Sequence, residues 1–140
     1  MAGYSGTPLP KKLGFKADMR VGLIGAPDGF AASLTELPQG LDFHDTFSES
    51  HVFVIFSKWV DEMTTNFRSA MSVLPPDGAI WVAWPKKSSG VETDMTEDTM
   101  RELFLPTGMV DNKVCAIDDT WSGLRFVVRK ENRAGWNAGV

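Results

Sequence analysis

The amino-acid sequence predicts an α/β fold in which helices cover both faces of a mostly parallel, Rossmann-like sheet. Two runs, 52–56 and 79–84, are apolar without a break, and a third, 21–26, is interrupted only by glycines. Such runs are typical of strands buried on both faces, which need helices above and below them. Between the last two runs, segment 57–74 changes to apolar residues spaced by three and four, the period of an amphipathic helix.

Composition and charge limit the kind of protein. The chain has 140 residues, 43% of them hydrophobic, which is enough for one domain with a real core. Its formal net charge of −4, with both signs interspersed, argues against general nucleic-acid binding. Cys115 is the only cysteine, so no disulfide forms within the chain. Because no long apolar run and no signal pattern occur, we expect a cytoplasmic protein with no membrane span.

The first half of the chain predicts four elements. Residues 1–14 are expected to form an arm, mobile over 1–6, and a short helix at about 7–13, with Thr7 as N-cap and Pro8 at the first helical position. A buried strand at 20–26 ends at Pro27, where a loop leads into a short helix at 30–37. Alternation of apolar and polar residues at 41–44 predicts an edge strand.

The second half continues the alternation of strands and helices. The helix at 57–74 separates the strands at 52–56 and 79–84, and Pro85 is expected to end the latter because it cannot donate to a sheet ladder. Thr96 is a candidate N-cap for the next helix. Strands at 114–117 and 124–129 form a hairpin with Trp121 in its turn, 120–123. The single domain is expected to span 15–130, followed by a tail, 131–140, in which Trp136 is either loose or docked.

The order of these elements points to one arrangement of the sheet. Right-handed crossovers favour the strand order 2-1-3-4-6-5, numbered along the chain, with strand 6 antiparallel. The closing antiparallel hairpin, and the turn at 74–78 before a buried strand, resemble the S-adenosylmethionine-dependent methyltransferase fold over residues 20–129.

A second resemblance covers nearly the whole chain. It is carried by the segments YSGTPL at 4–9, KKLG at 11–14, WVAWPKK at 81–87 and DTWSGL at 119–124. These segments resemble a family of small bacterial proteins known only as a domain of unknown function. That resemblance implies no activity.

The loop after the first strand, 25–30, bears on cofactor binding. It has two glycines at the wrong spacing for a dinucleotide, Pro27 lacks an N–H, and Asp28 carries negative charge where a pyrophosphate would lie. S-adenosylmethionine has no phosphate and is not excluded, and Asp42 or Asp45 could meet its ribose. We expect binding no tighter than about 10 μM, because the glycine-rich approach surface is missing. The alternative to cofactor binding is that Asp28 and Gly29 form an ordinary strand-to-helix turn. The sequence therefore does not identify a cofactor.

A candidate binding site lies at the carboxyl ends of the central strands. The predicted topology brings nine residues to that edge: Asp28, Gly29, Ser57, Lys58, Trp84, Lys86, Lys87, Asp119 and Trp121. The lysines favour a small anionic ligand or an acidic protein partner. The alternatives are solvated lysines and a Trp121 that packs over the end of the sheet.

Other catalytic patterns are missing from the sequence. His44 and His51 lack further ligands at metal-binding spacing, and no nucleophile elbow occurs. We therefore expect no metal site, and we favour a non-catalytic or regulatory binding module. The alternative is a working S-adenosylmethionine-dependent methyltransferase-like enzyme. The sequence leaves the oligomeric state open.

Overall fold

The structure, a computed structural model, describes residues 7–137 and contains a six-stranded mixed sheet. The predicted mobile arm at 1–6 lies outside the described residues. The strands are β1 Arg20–Ile24, β2 Asp42–His44, β3 Val52–Phe56, β4 Ala79–Pro85, β5 Met109–Ala116 and β6 Trp121–Val128. The helices are α1 Leu9–Lys12, α2 Phe30–Ser33, α3 Val60–Met71, α4 Glu97–Phe104 and α5 Lys130–Arg133.

The strand order confirms the predicted topology. The sheet runs β2-β1-β3-β4-β6-β5. The pairs β1–β2, β1–β3 and β3–β4 are parallel, whereas β6 is antiparallel to both β4 and β5. This is the mixed α/β sheet expected from the two buried apolar runs, both of which lie at its centre.

Two hydrophobic cores lie on opposite faces of the sheet. On one face, α3 and α4 pack through a stacked Phe67–Phe104 pair with ring centroids 3.9 Å apart, and Phe126 of β6 meets both rings edge-on. On the other face, Trp81 lies under the segment that follows α1 and donates its indole N–H to the Leu13 carbonyl at 2.9 Å. Three layers result, as the continuous apolar strands require.

Several helix boundaries differ from the predicted ones. Helix α3 begins at Val60 because Trp59 is its extended N-cap, and it ends before Leu74, which is buried outside the helix. Helix α2 ends at Ser33, since Leu34 turns to an extended conformation while remaining in the core. The N-cap of α1 is Pro8 and not the predicted Thr7. Helix α4 begins as predicted, with the Thr96 hydroxyl accepting the Thr99 amide at 3.1 Å.

The turn between β5 and β6 lies earlier than predicted. The Asp118 carboxylate accepts the backbone N–H groups of Thr120 and Trp121, each at 2.8 Å. This turn chemistry closes the hairpin before Trp121, which becomes the first residue of β6 and pairs with Pro85. Proline is therefore the last residue of β4, at a position where a missing donor does little harm.

Trp136 in the tail is docked. Its ring packs against the core formed by α3 and α4. The neighbouring Asn137 side chain donates to the carbonyls of Met71 and Leu74, both at 2.9 Å. The tail thus adds donors to carbonyl groups at and just after the end of α3, where the Met71 carbonyl also accepts the Leu74 N–H at 3.3 Å.

Candidate functional site

A cleft opens at the carboxyl edge of the sheet, between β1 and β3. From β1 the chain moves outward to β2, and from β3 it moves the other way to β4, so the loops after β1 and β3 diverge. Ligands in open α/β sheets bind at such a reversal of strand order. The cleft has a volume of about 490 Å³ and is lined by Gly25, Pro27, Phe56, Ser57, Lys58, Trp59, Glu62 and Trp121.

A larger groove elsewhere does not share this placement. It has a volume of about 590 Å³ and lies between α1 and segment 36–38. None of the strand ends lines it, so we place the candidate site in the smaller cleft.

The floor of the cleft depends on a close backbone approach at Gly25. Its φ of 68° is left-handed, and a Cβ there would lie 2.6 Å from the Phe56 carbonyl oxygen. Only glycine therefore lets the end of β1 reach β3 in this geometry. Gly29, with φ of 79°, also needs a left-handed conformation, but a Cβ there would meet no atom within 4 Å.

Aromatic side chains form one wall. The Phe56 ring is buried and meets Phe30 edge-on at a centroid distance of 5.0 Å and Trp121 at 5.2 Å. Trp59, at the start of α3, is 44% exposed and lines the same cleft. Trp121 therefore both packs over the end of the sheet and offers a surface to the cleft.

A polar pair, Ser57 and Glu62, also lines the cleft. Ser57 is 3% exposed, and its hydroxyl accepts the Trp59 N–H at 3.1 Å. Two acceptors lie within reach of its one proton, Glu62 Oε1 at 2.7 Å and the Trp59 carbonyl at 3.0 Å, and the shorter distance favours donation to Glu62. Asp94, from the loop before α4, accepts the Val60 N–H at 2.8 Å. These contacts satisfy the first amides of α3 and fix the Glu62 carboxylate at the cleft.

The structure brings three of the nine predicted site residues into the cleft: Ser57, Lys58 and Trp121. Trp121 pairs with Pro85, just before Lys86, at the carboxyl end of β4. Because β1, β3 and β4 are parallel, the loop after β1 that contains Gly29 leaves the sheet at the same edge. Five further residues lie in the connections at this edge without lining the cleft: Asp28, Gly29, Lys86, Asp119 and Lys87, which begins a short 3-10 helix, Lys87–Ser89. Their part in binding stays a prediction.

Trp84 does not line the cleft, contrary to the prediction. It is 6% exposed and belongs to the core under α3 and α4. The alternation of β4 places it on the face opposite Trp81, as predicted, and the helices of that face cover its ring.

Five residues that line the cleft were not among the nine predicted: Gly25, Pro27, Phe56, Trp59 and Glu62. Trp59 lies just after a buried strand, with Ser57 and Lys58 between, and falls outside the buried stripe of α3; this large apolar residue at an unburied position was an available signal. Glu62 resembles an ordinary acidic residue in the first turn of a helix, where negative charge is favoured. Its hydrogen bond to Ser57 is visible only in three dimensions.

The carboxylates expected to reach a ribose do not line the cleft. Asp42 forms an ion pair with Arg20 at 3.1 Å, at the amino ends of β1 and β2. Asp45 is exposed in the loop after β2. Nearby, burial and the Arg20 charge lower the pKa of His44, whose ring contacts Ser50 and Thr46.

Two further observations concern residues 7–137 alone. No group of three or more histidine, cysteine or acidic side chains there is placed to hold a metal ion. No helix in that part of the chain is long and apolar enough to cross a bilayer.

Comparison with solved structures shows the fold. A Sulfolobus solfataricus protein assigned as a type 11 methyltransferase matches with a TM-score of 0.60 and 12% identity, over 87% of this chain and 90% of that one. The ribosomal protein L11 methylase of Lactobacillus delbrueckii subsp. bulgaricus matches with a TM-score of 0.56 and 9% identity, over 86% and 75%. Magnesium protoporphyrin IX methyltransferase of Synechocystis PCC 6803, solved with bound S-adenosylmethionine, matches with a TM-score of 0.54 and 8% identity, over 86% and 74%.

These neighbours correct the functional expectation. Because they are methyltransferases, they count against a non-catalytic or regulatory binding module and favour the alternative, a methyltransferase-like enzyme. No protein-family model and no curated protein matches the chain. The resemblance to a small bacterial family therefore stays a prediction.

Proposed function

We propose that the chain is an S-adenosylmethionine-dependent methyltransferase-like enzyme whose cofactor binds in the cleft between β1 and β3. The observation that carries this proposal is the place of the cleft, at the reversal of strand order in a sheet of methyltransferase topology. When bound, S-adenosylmethionine supplies an electrophilic methyl group on a sulfonium centre. The residues of this chain would bind and orient that group beside an acceptor.

The residues lining the cleft fit such a cofactor. Trp59 and Trp121 offer large aromatic surfaces of the kind that pack against a flat base. Gly25 leaves the floor free of a side chain, and the Glu62 carboxylate and Lys58 supply both signs of charge for an amino-acid tail. Pro27 and Asp28, which disfavour a pyrophosphate, do not count against a ligand without phosphate.

The same residues set the expected affinity. Among the described residues that line the cleft, Gly25 is the one glycine at which the backbone approaches another strand closely. Helix α2, which follows this loop, is only one turn long, so few backbone N–H groups converge on the cleft. We expect a dissociation constant between about 10 μM and about 1 mM, or roughly −7 to −4 kcal/mol. This range agrees with the weak binding expected from the loop sequence.

Calorimetry of the full chain with S-adenosylmethionine tests the proposal. Trp121→Ala should weaken binding about tenfold, because it removes one aromatic wall. Trp136→Ala is the matched control, since it removes a tryptophan that packs at α3, outside the cleft. Turnover would be followed as S-adenosylhomocysteine released in the presence of mixed small-molecule acceptors. Failure to bind at about 1 mM, or equal effects of the two substitutions, would contradict the proposal.

A further inference from the structure

Carboxylates lie near the start of α3, at the edge of the cleft. Asp61 and Glu62 lie in the first helical turn, and the Asp94 carboxylate accepts the Val60 amide. Lys58 is the one basic residue among the described residues that line the cleft. Glu62 is the one acidic residue in that lining, so the preference for a cation depends on where Glu62 lies and not on the summed charge of the cleft.

Glu62 is held in place with one oxygen free for a ligand. Its Oε1 accepts the Ser57 hydroxyl at 2.7 Å, and that hydroxyl is itself fixed by the Trp59 N–H. Ser57 is almost fully buried whereas Glu62 is exposed, so the carboxylate is anchored at one oxygen and open to the cleft at the other. Within residues 7–137, Ser57 is the hydrogen-bond partner found for Glu62, which leaves Oε2 to accept a donor from a ligand.

The neighbouring aromatic residues favour the same sign of charge. Trp59 and Trp121 line the cleft together with Glu62. Tryptophan faces attract cations, and the attraction grows when the cation is partly removed from water. In contrast, Lys86 and Lys87, which suggested an anion site in the sequence, do not line the cleft.

We propose that the cleft recognises its ligand through a positively charged group, an ammonium or a sulfonium, held by the Glu62 carboxylate beside the Trp59 and Trp121 rings. The identity of the natural ligand rests on the proposed function, because S-adenosylmethionine carries both kinds of cation. The preference for a cation is a property of these side chains and is measurable with a simpler ion.

The first experiment uses tetramethylammonium chloride and the full chain labelled with nitrogen-15. The indole N–H resonances of Trp59 and Trp121, assigned with Trp→Phe variants, should shift saturably, whereas sodium chloride at equal ionic strength should not produce this shift. Glu62→Gln should weaken the apparent affinity at least about fivefold, because it removes the charge. The glutamine oxygen still accepts the Ser57 hydroxyl, so the fold should persist.

Asp61→Asn is the matched control. It removes the same charge from the same helical turn at a side chain that is exposed, as Glu62 is, but that does not line the cleft. We expect an affinity within about twofold of the unchanged chain. The absence of a saturable shift, or equal losses in the two variants, would overturn the inference.

The second experiment distinguishes the two cations by calorimetry. S-adenosylhomocysteine lacks the sulfonium charge and keeps the ammonium, and methylthioadenosine lacks both. If Glu62 holds the sulfonium, only S-adenosylmethionine loses affinity on Glu62→Gln. If it holds the ammonium, S-adenosylmethionine and S-adenosylhomocysteine both lose affinity, and methylthioadenosine binds weakly to either chain.

If no nucleoside binds but tetramethylammonium does, the proposed function fails and the cation preference stands. If the nucleosides bind and Glu62→Gln changes neither their affinity nor that of tetramethylammonium, the proposed function stands and the cation site at Glu62 fails.

Discussion

Replacing Gly25 by alanine tests the close backbone contact at the floor of the cleft. A Cβ at Gly25 would lie 2.6 Å from the Phe56 carbonyl oxygen, and the backbone there is left-handed. The left-handed conformation alone costs an L-residue about 1–2 kcal/mol. Forcing β1 and β3 apart should add about 1–3 kcal/mol, typical of overpacking. We therefore expect Gly25→Ala to destabilise the chain by about 2–5 kcal/mol.

Gly29→Ala is the matched control. Gly29 has a similar positive φ, but a Cβ there would meet no atom within 4 Å. Its cost should be limited to the conformational part, about 1–2 kcal/mol. The difference between the two variants, about 1–3 kcal/mol, isolates the contact with Phe56 from the glycine effect that both positions share.

Urea denaturation followed by tryptophan fluorescence measures this difference. In thermal melts, a chain of this size should lose roughly 3–4 °C per kcal/mol, so the control melts slightly early and Gly25→Ala much earlier. Gly25→Ala should also weaken S-adenosylmethionine more than Gly29→Ala, since only Gly25 lines the cleft. Equal losses of stability would refute the close approach of β1 to β3.

Three further predictions concern the core, a histidine and the edge lysines. Val82→Asp should prevent folding, because a buried charge costs several kcal/mol, whereas Val114→Asp, at a side chain that is 53% exposed, should leave a cooperative urea transition. Burial and the Arg20 charge lower the pKa of His44 below 6.5, so protonation of this histidine favours the unfolded chain. The urea midpoint should therefore fall as the pH drops below about 6.5, and it should fall less steeply in His44→Gln. An equally steep fall in the two chains would contradict this assignment. Replacing Lys86 and Lys87 together by alanine should change the free energy of unfolding by no more than about 0.5 kcal/mol. The double variant should bind tetramethylammonium as the unchanged chain does, and a loss of that binding would argue against the cation site.

The sheet could be predicted from the sequence because burial on both faces leaves a local signal. The strand Val52–Phe56 matches its apolar run residue for residue, and the start of α4 follows its Thr96 cap. Predicting the turn at Trp121 failed, because the Asp118 side chain captures two backbone amides and closes the hairpin early. Trp84 was misplaced because strand alternation gives its face but not how far the helices of that face extend over it.

The sequence by itself determined the central strands, the strand order and the edge at which we propose a ligand site, since these follow from apolar periodicity, chain connectivity and the handedness of crossovers. Only the tertiary structure decided which residues of that edge meet. Ser57, Trp59 and Glu62 are close in sequence, but their contacts depend on where α3 begins, and Gly25 meets Phe56 only because β1 and β3 are neighbours. Side chains at a rim are placed by hydrogen bonds and packing between distant segments, and such contacts leave no period in the sequence.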